Sequence, residues 1–87
     1  MFEAASRDAS VIVRVGRQGD ALGVQLELAA MQLGDAELAN QIVRLNTLAY
    51  LRSQLALRLE LERNRFQVTL PLPTEAQVET YAATIDF

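Results

Sequence analysis

Hydrophobic periodicity changes once along this chain, and the change limits what the chain can fold into. From Val11 to Leu28 apolar residues alternate, the period of a half-buried strand. From Ala36 to roughly Asn64 they recur mostly at helical spacing, with no glycine or proline to interrupt them. A hairpin feeding one long helix is an α+β arrangement. The chain has 87 residues and is one domain at most. A domain of this size buries only about 60–65% of the surface its unfolded chain exposes. With no cysteine to staple it, it needs an idealised core or a partner.

The local signals define the elements. Phe2 to Ala5 is a strand candidate, and Ser6-Arg7-Asp8-Ala9 has turn chemistry. In Ser10 to Val15, Val11, Val13 and Val15 share one face, with Ile12 and Arg14 on the other. Gly16-Arg17-Gln18-Gly19-Asp20 reads as a hairpin loop. Leu22, Val24, Leu26 and Leu28 then face one way, and Gly23, Gln25 and Glu27 the other. One apolar and one polar face predict an antiparallel sheet with one side free. The glycines match neither the Walker nor the dinucleotide spacing, so they serve turns. The expected architecture is a three-stranded antiparallel meander over about 2–28, a long helix over about 35–64, a proline-containing connector over 65–73 and a short helix over about 74–85.

Leu55, Leu57, Leu59 and Leu61 also alternate, but Leu, Ala, Arg and Glu are strong helix formers and none is β-branched, so the helix is expected to continue there. Gly34 or Asp35 can open it and Asn64 can close it. Arg65 to Leu70, with Phe66, Val68 and Leu70 alternating, reads as a short strand or an extended connector before Pro71 and Pro73. Thr74 and Gln77 form a capping box. Val78, Tyr81, Ala82 and Ile85 then line one face of the short helix.

The long helix carries two apolar stripes. Leu38, Ile42, Leu45, Leu48, Leu51, Leu55 and Leu59 form the first, and Ala39, Val43, Tyr50, Leu57 and Leu61 the second. Asn40, Arg44, Thr47, Gln54, Arg58 and Glu62 make the polar sector between them. One stripe can cover the sheet, and the other needs a partner. Only the short C-terminal helix could cover part of it from within the chain. Val43, Tyr50, Leu57 and Leu61 are therefore the candidate interface, and a two-fold homodimer is the expected assembly, with Tyr50 and Leu57 near its contact.

Composition removes most chemistry. There is no histidine and no cysteine, which excludes the usual zinc sets and His- or Cys-based catalysis. Ser6, Asp8, Asp20, Asp35 and the pair Glu60 and Glu62 lack the partners or the shared face that acid–base work requires. No catalytic, cofactor or metal site is expected. Net charge is −3, from 8 basic and 11 acidic residues, which leaves no footprint for tight nonspecific nucleic-acid binding. All the basic residues are arginines, but those of the helix are interleaved with glutamates. No window approaches 18 apolar residues, so no membrane span is expected. The N-terminus lacks a secretory pattern, which points to a cytoplasmic protein, with export by a non-classical route left open.

The run Phe2 to Asn64 resembles the hairpin-plus-helix part of the YbaB-like proteins. It is more similar still to mycobacterial type VII secretion-associated proteins of the EspD and EspH kind. The similarity lies in Phe2 to Val13, the hairpin Gly19 to Leu28, Ala36 to Val43 and the tail Leu70 to Gln77. The connection between the long helix and that tail is shorter here. The resemblance implies a small α+β domain, usually dimeric, without catalytic residues, whose partners are proteins of the secretion system. The expected function is thus a non-enzymatic interaction module, accessory or chaperone-like, in type VII secretion. The alternative is a nucleoid-associated DNA binder, since YbaB-like proteins are themselves linked to DNA.

Overall fold

The computed structural model describes residues 1–67 and 69–87. Strands β1 (Phe2–Ala5), β2 (Val11–Val15) and β3 (Ala21–Leu26) form an antiparallel sheet in the order β1-β2-β3. A single 3-10 turn, Leu28–Gln32, leads to helix α1 (Asp35–Arg63), and α2 (Glu75–Ala82) closes the chain. The expected meander, long helix and short helix are all present. Residues 55–61 are helical, so strong helix formers outweigh a strand-like alternation there.

Strand β3 ends before Leu28, the residue expected to extend its apolar face. The last rung is the Glu27 N–H donating to the Ser10 carbonyl. Beyond Ser10 the neighbouring chain turns away, so there is no strand left to pair with. Phe66 and Leu70 are exposed and lie outside any strand. Val68, read with them from the sequence, lies outside the described residues.

Register explains which residues enter the core. Val11 lies opposite Leu26, Val13 opposite Val24 and Ala4, and Val15 opposite Phe2. Residues directly opposite share a face. Val11, Val13, Val15 and Ala4 are buried beneath Leu45, Leu48 and Ala49 of α1. The first stripe therefore faces the sheet. Leu59 is the exception and stays 45% exposed. A helix of 29 residues runs about 43 Å, while the longest strand has 6 residues, or about 20 Å. Leu59 has passed the end of the sheet.

The opposite face of the sheet is polar. There the Arg14 guanidinium pairs with Glu3 at 3.4 Å and donates to Gln25 Oε1 at 3.2 Å.

The C-terminal segment closes the other flank of α1. Val78 is buried, and Tyr81, Ala82, Ile85 and Phe87, like Leu51 and Leu55 of α1, pack against the core. Arg44 donates to the Thr84 carbonyl, pairs with Asp86 at 3.6 Å and lies 5.3 Å from the Phe87 ring centre. Arg58 donates to the Leu72 carbonyl at 2.9 Å. The capping box forms as expected: Thr74 Oγ1 accepts from the Gln77 N–H, and Gln77 Oε1 accepts from the Thr74 N–H. The short helix ends at Ala82, three residues before the expected boundary, where single turn bonds take over.

Asn64 caps α1, as its type suggests. The Phe66 N–H reaches the Leu61 carbonyl and the Arg65 N–H reaches that of Glu62, which places Arg65 in the left-handed region with φ 63°. Glycine takes that conformation without the steric cost an arginine Cβ incurs. Arg65→Gly is expected to stabilise the fold by about 0.5–1 kcal/mol, a Tm rise of about 2–8 °C by calorimetry.

Candidate interaction surface

The sheet is half covered. Helix α1 packs on β1 and β2, and every residue of β3 remains exposed. Leu22, Val24 and Leu26 keep 55%, 46% and 38% of their surface in contact with solvent. Yet Val24 and Leu26 lie directly opposite buried Val13 and Val11, on the same face. The apolar face of the sheet thus continues past the edge of the helix into solvent. Leu28 and Met31, in the 3-10 turn, extend the exposed strip.

The second stripe of α1 rises beside this strip. Val43 is 63% exposed and Tyr50 44%, while Leu57 and Leu61 are half-buried. The Tyr50 ring lies against Gly19 in the β2–β3 turn, where an added Cβ would fall 2.7 Å from the ring and Gln54 is also close. Gly19 has φ 81°. Turn geometry and the Tyr50 ring therefore both demand glycine there. This contact places the second stripe on the β3 side of the helix. A cavity of about 560 Å³ opens between Arg17 and Gln18 of the turn and Tyr50, Gln54 and Leu57 of the helix. Leu57 also lines a second hollow, of about 330 Å³, with Phe2, Ser53 and Arg63.

Of the four residues picked from the sequence, the structure brings Tyr50 and Leu57 to one cavity, with Val43 along the same flank. Leu61 lies further along, beyond the sheet. No residue of the C-terminal helix lines either hollow beside this stripe; that segment is held on the Arg44 and Arg58 side of α1. Leu22, Val24 and Leu26 are part of the surface that sequence reasoning missed. Their alternation predicts a half-buried face, and the structure leaves it open. The signal was one of width. An α-helix with its side chains is about 10 Å across, and three strands at about 4.8 Å spacing are wider.

A second polar feature lies at the β1–β2 turn. Asp8 Oδ1 accepts from the Ser6 hydroxyl at 2.9 Å and from the Ser10 N–H at 3.0 Å. The Ser6 Oγ in turn accepts from the Val11 N–H at 3.1 Å. Bonds from Ser10 and Ser6 hold the exposed Asp8 carboxyl below its usual pKa of 3.8. A carboxylate of lowered pKa stabilises the fold above its unfolded value, and that contribution is lost as pH falls through the folded value. Thermal melts between pH 5 and 2 should show an acid-side decline in Tm that is smaller in Asp8→Ala. The arrangement is turn chemistry, with no activated nucleophile.

Among the described residues no group of acidic side chains could hold a metal ion. Among the described residues no helix is long and apolar enough to cross a membrane. No protein-family model, curated protein or solved structure matches this chain.

Proposed function

We propose that the protein is a non-enzymatic interaction module that pairs with a second copy of itself. Through that pair it engages proteins of a type VII secretion system in an accessory or chaperone-like role. The supporting observation is the uncovered apolar groove formed by Leu22, Val24 and Leu26 of β3 and Val43 and Tyr50 of α1. Closing the remaining exposure of five such side chains on each of two copies is worth about 10 kcal/mol. That is of the same order as the association cost, about 4–15 kcal/mol. The secretion context rests on the resemblance of Phe2 to Val13, Gly19 to Leu28, Ala36 to Val43 and Leu70 to Gln77 to the EspD and EspH kind.

The arginines favour this reading over DNA binding. Arg17 pairs with Glu60, Arg14 with Glu3, Arg44 with Asp86 and Arg58 with Glu62, and Arg52 donates to the Glu3 carbonyl. These five of the eight arginines are engaged with the chain's own acids and carbonyls.

Light scattering at micromolar concentration should give twice the 9.6 kDa chain mass. A folded monomer there would defeat the proposal. Duplex DNA should bind no tighter than the nonspecific range, roughly 10⁻⁴ to 10⁻⁶ M at physiological salt. A nanomolar, salt-sensitive gel shift would instead favour a nucleoid role. In cells, deleting the gene should reduce export of a type VII substrate, and a groove variant such as Val43→Glu should fail to restore it.

A further inference from the structure

The two edges of the sheet are treated differently. On the β1 edge, the outward Glu3 carbonyl is taken by Arg52 Nη1 at 2.6 Å, and just beyond the strand the Arg7 N–H is taken by the Phe87 carbonyl at 2.7 Å. That edge is blocked by the chain itself. The β3 edge is less protected. Among the described residues there is no charge, no proline and no covering segment between Ala21 and Leu26, although a register shift interrupts the strand at its turn end, between Ala21 and Gly23.

The hydrogen-bond phase of β3 defines what its edge offers. The Glu27 N–H points to β2, where it meets the Ser10 carbonyl. Direction alternates along an antiparallel strand. Gln25 and Gly23 therefore also turn their backbone groups toward β2, and Val24 and Leu26 turn theirs outward. Those are the residues whose side chains lie on the exposed apolar face. Val15 pairs with Ala21 and Arg14 with Gly23, so Leu22 is the extra residue at the register shift beside the turn.

We propose that two copies join edge to edge along β3, antiparallel, with the two-fold axis at Val24, merging the two sheets into one of six strands. The proposal rests on the self-pairing reading above and specifies its geometry. The segment Leu22-Gly23-Val24-Gln25-Leu26 is symmetric in character about Val24. In this register Val24 meets Val24, and the outward N–H and C=O groups of the two copies satisfy each other. Leu26 of each copy lies across from Leu22 of the other. Gln25 lies across from Gly23, where space is open. Glu27 lies across from Ala21, and Asp20 across from Leu28, so no acid faces an acid. A one-residue slip would set apolar side chains against the polar face. The merged strip of Leu22, Val24 and Leu26 then forms the floor of a single groove, flanked on each side by Val43 and Tyr50 of one α1.

The chain contains no cysteine, so a single introduced thiol reports one contact. In a hydrogen-bonded antiparallel pair the Cα atoms lie about 5.5 Å apart, within disulfide reach. Val24→Cys should form a disulfide-linked dimer on mild oxidation, while Thr80→Cys, on α2, should not. Val24→Pro tests the edge itself. It deletes an N–H that points away from β2, so no bond within the chain is lost. It should weaken association on the order of 100-fold while the helical circular dichroism signal persists. A wild-type dimer whose Val24→Cys form does not crosslink, or which survives Val24→Pro, would overturn edge pairing and leave self-pairing through the second stripe of α1 standing. A wild-type monomer would overturn both.

Discussion

Leu45→Ala is expected to lower stability by about 3 kcal/mol, the typical cost of truncating a fully buried leucine. Leu45 is fully buried and is the largest of the core side chains so enclosed. It projects from the middle of α1 into the layer formed by Val11, Val13, Val15 and Ala4. The floor is β-branched valine, which has little rotamer freedom, and the flanking residues Leu48 and Ala49 are themselves buried. For a domain of this size about 3 kcal/mol corresponds to a Tm fall of roughly 12–24 °C. Chemical denaturation should show a lower midpoint with an unchanged slope. A loss below about 1 kcal/mol would mean that α1 does not sit on the sheet through Leu45.

Val43→Glu is expected to act in the opposite way, leaving the single chain intact and disabling the groove. Val43 is 63% exposed, so the new carboxylate stays in water in a lone chain. Glutamate is also the better helix former. In the edge-joined pair Val43 flanks the groove and lies outside the β3 seam, so the pair should persist while a protein seated in the groove meets an unpaired carboxylate on each side. Its binding should weaken by at least about 100-fold, equivalent to roughly 3 kcal/mol. Light scattering should still give the dimer mass with unchanged circular dichroism. Leu57→Glu should do the same, with some loss of stability because Leu57 is already half-buried. A Val43→Glu protein that turns monomeric would place the pair contact on α1 rather than on β3.

These two substitutions separate core from surface on the same helix, and the sequence could not have separated them by composition. Leu45 and Val43 are both apolar, two positions apart in one helix. Periodicity assigned them to different stripes, and the fold agrees: the first stripe lies on the sheet and the second is open. Residues 55–61 show the same kind of local rule working, because side-chain type outweighed a misleading alternation. The capping box at Thr74 and Gln77 was legible for a similar reason, since both halves of it lie within one turn.

What stayed hidden was the fate of β3. Its alternation is as regular as that of β2, yet Val13 is buried and Val24, directly opposite, is not. The start of the 3-10 turn at Leu28 was hidden for a related cause: strand length is set by the partner, and β2 has no residue left to offer. The flank chosen by α2 was likewise invisible, because it depends on Arg44 and Arg58 reaching the Thr84 and Leu72 carbonyls across 40 and 14 residues.

The sequence by itself determined the elements and their faces, since these follow from periods of two and 3.6 residues and from caps within a few positions. Tertiary structure alone decided coverage. A helix about 10 Å wide spans two strands and leaves a third open, and that comparison of widths is made across the fold, where no local pattern along the chain records it.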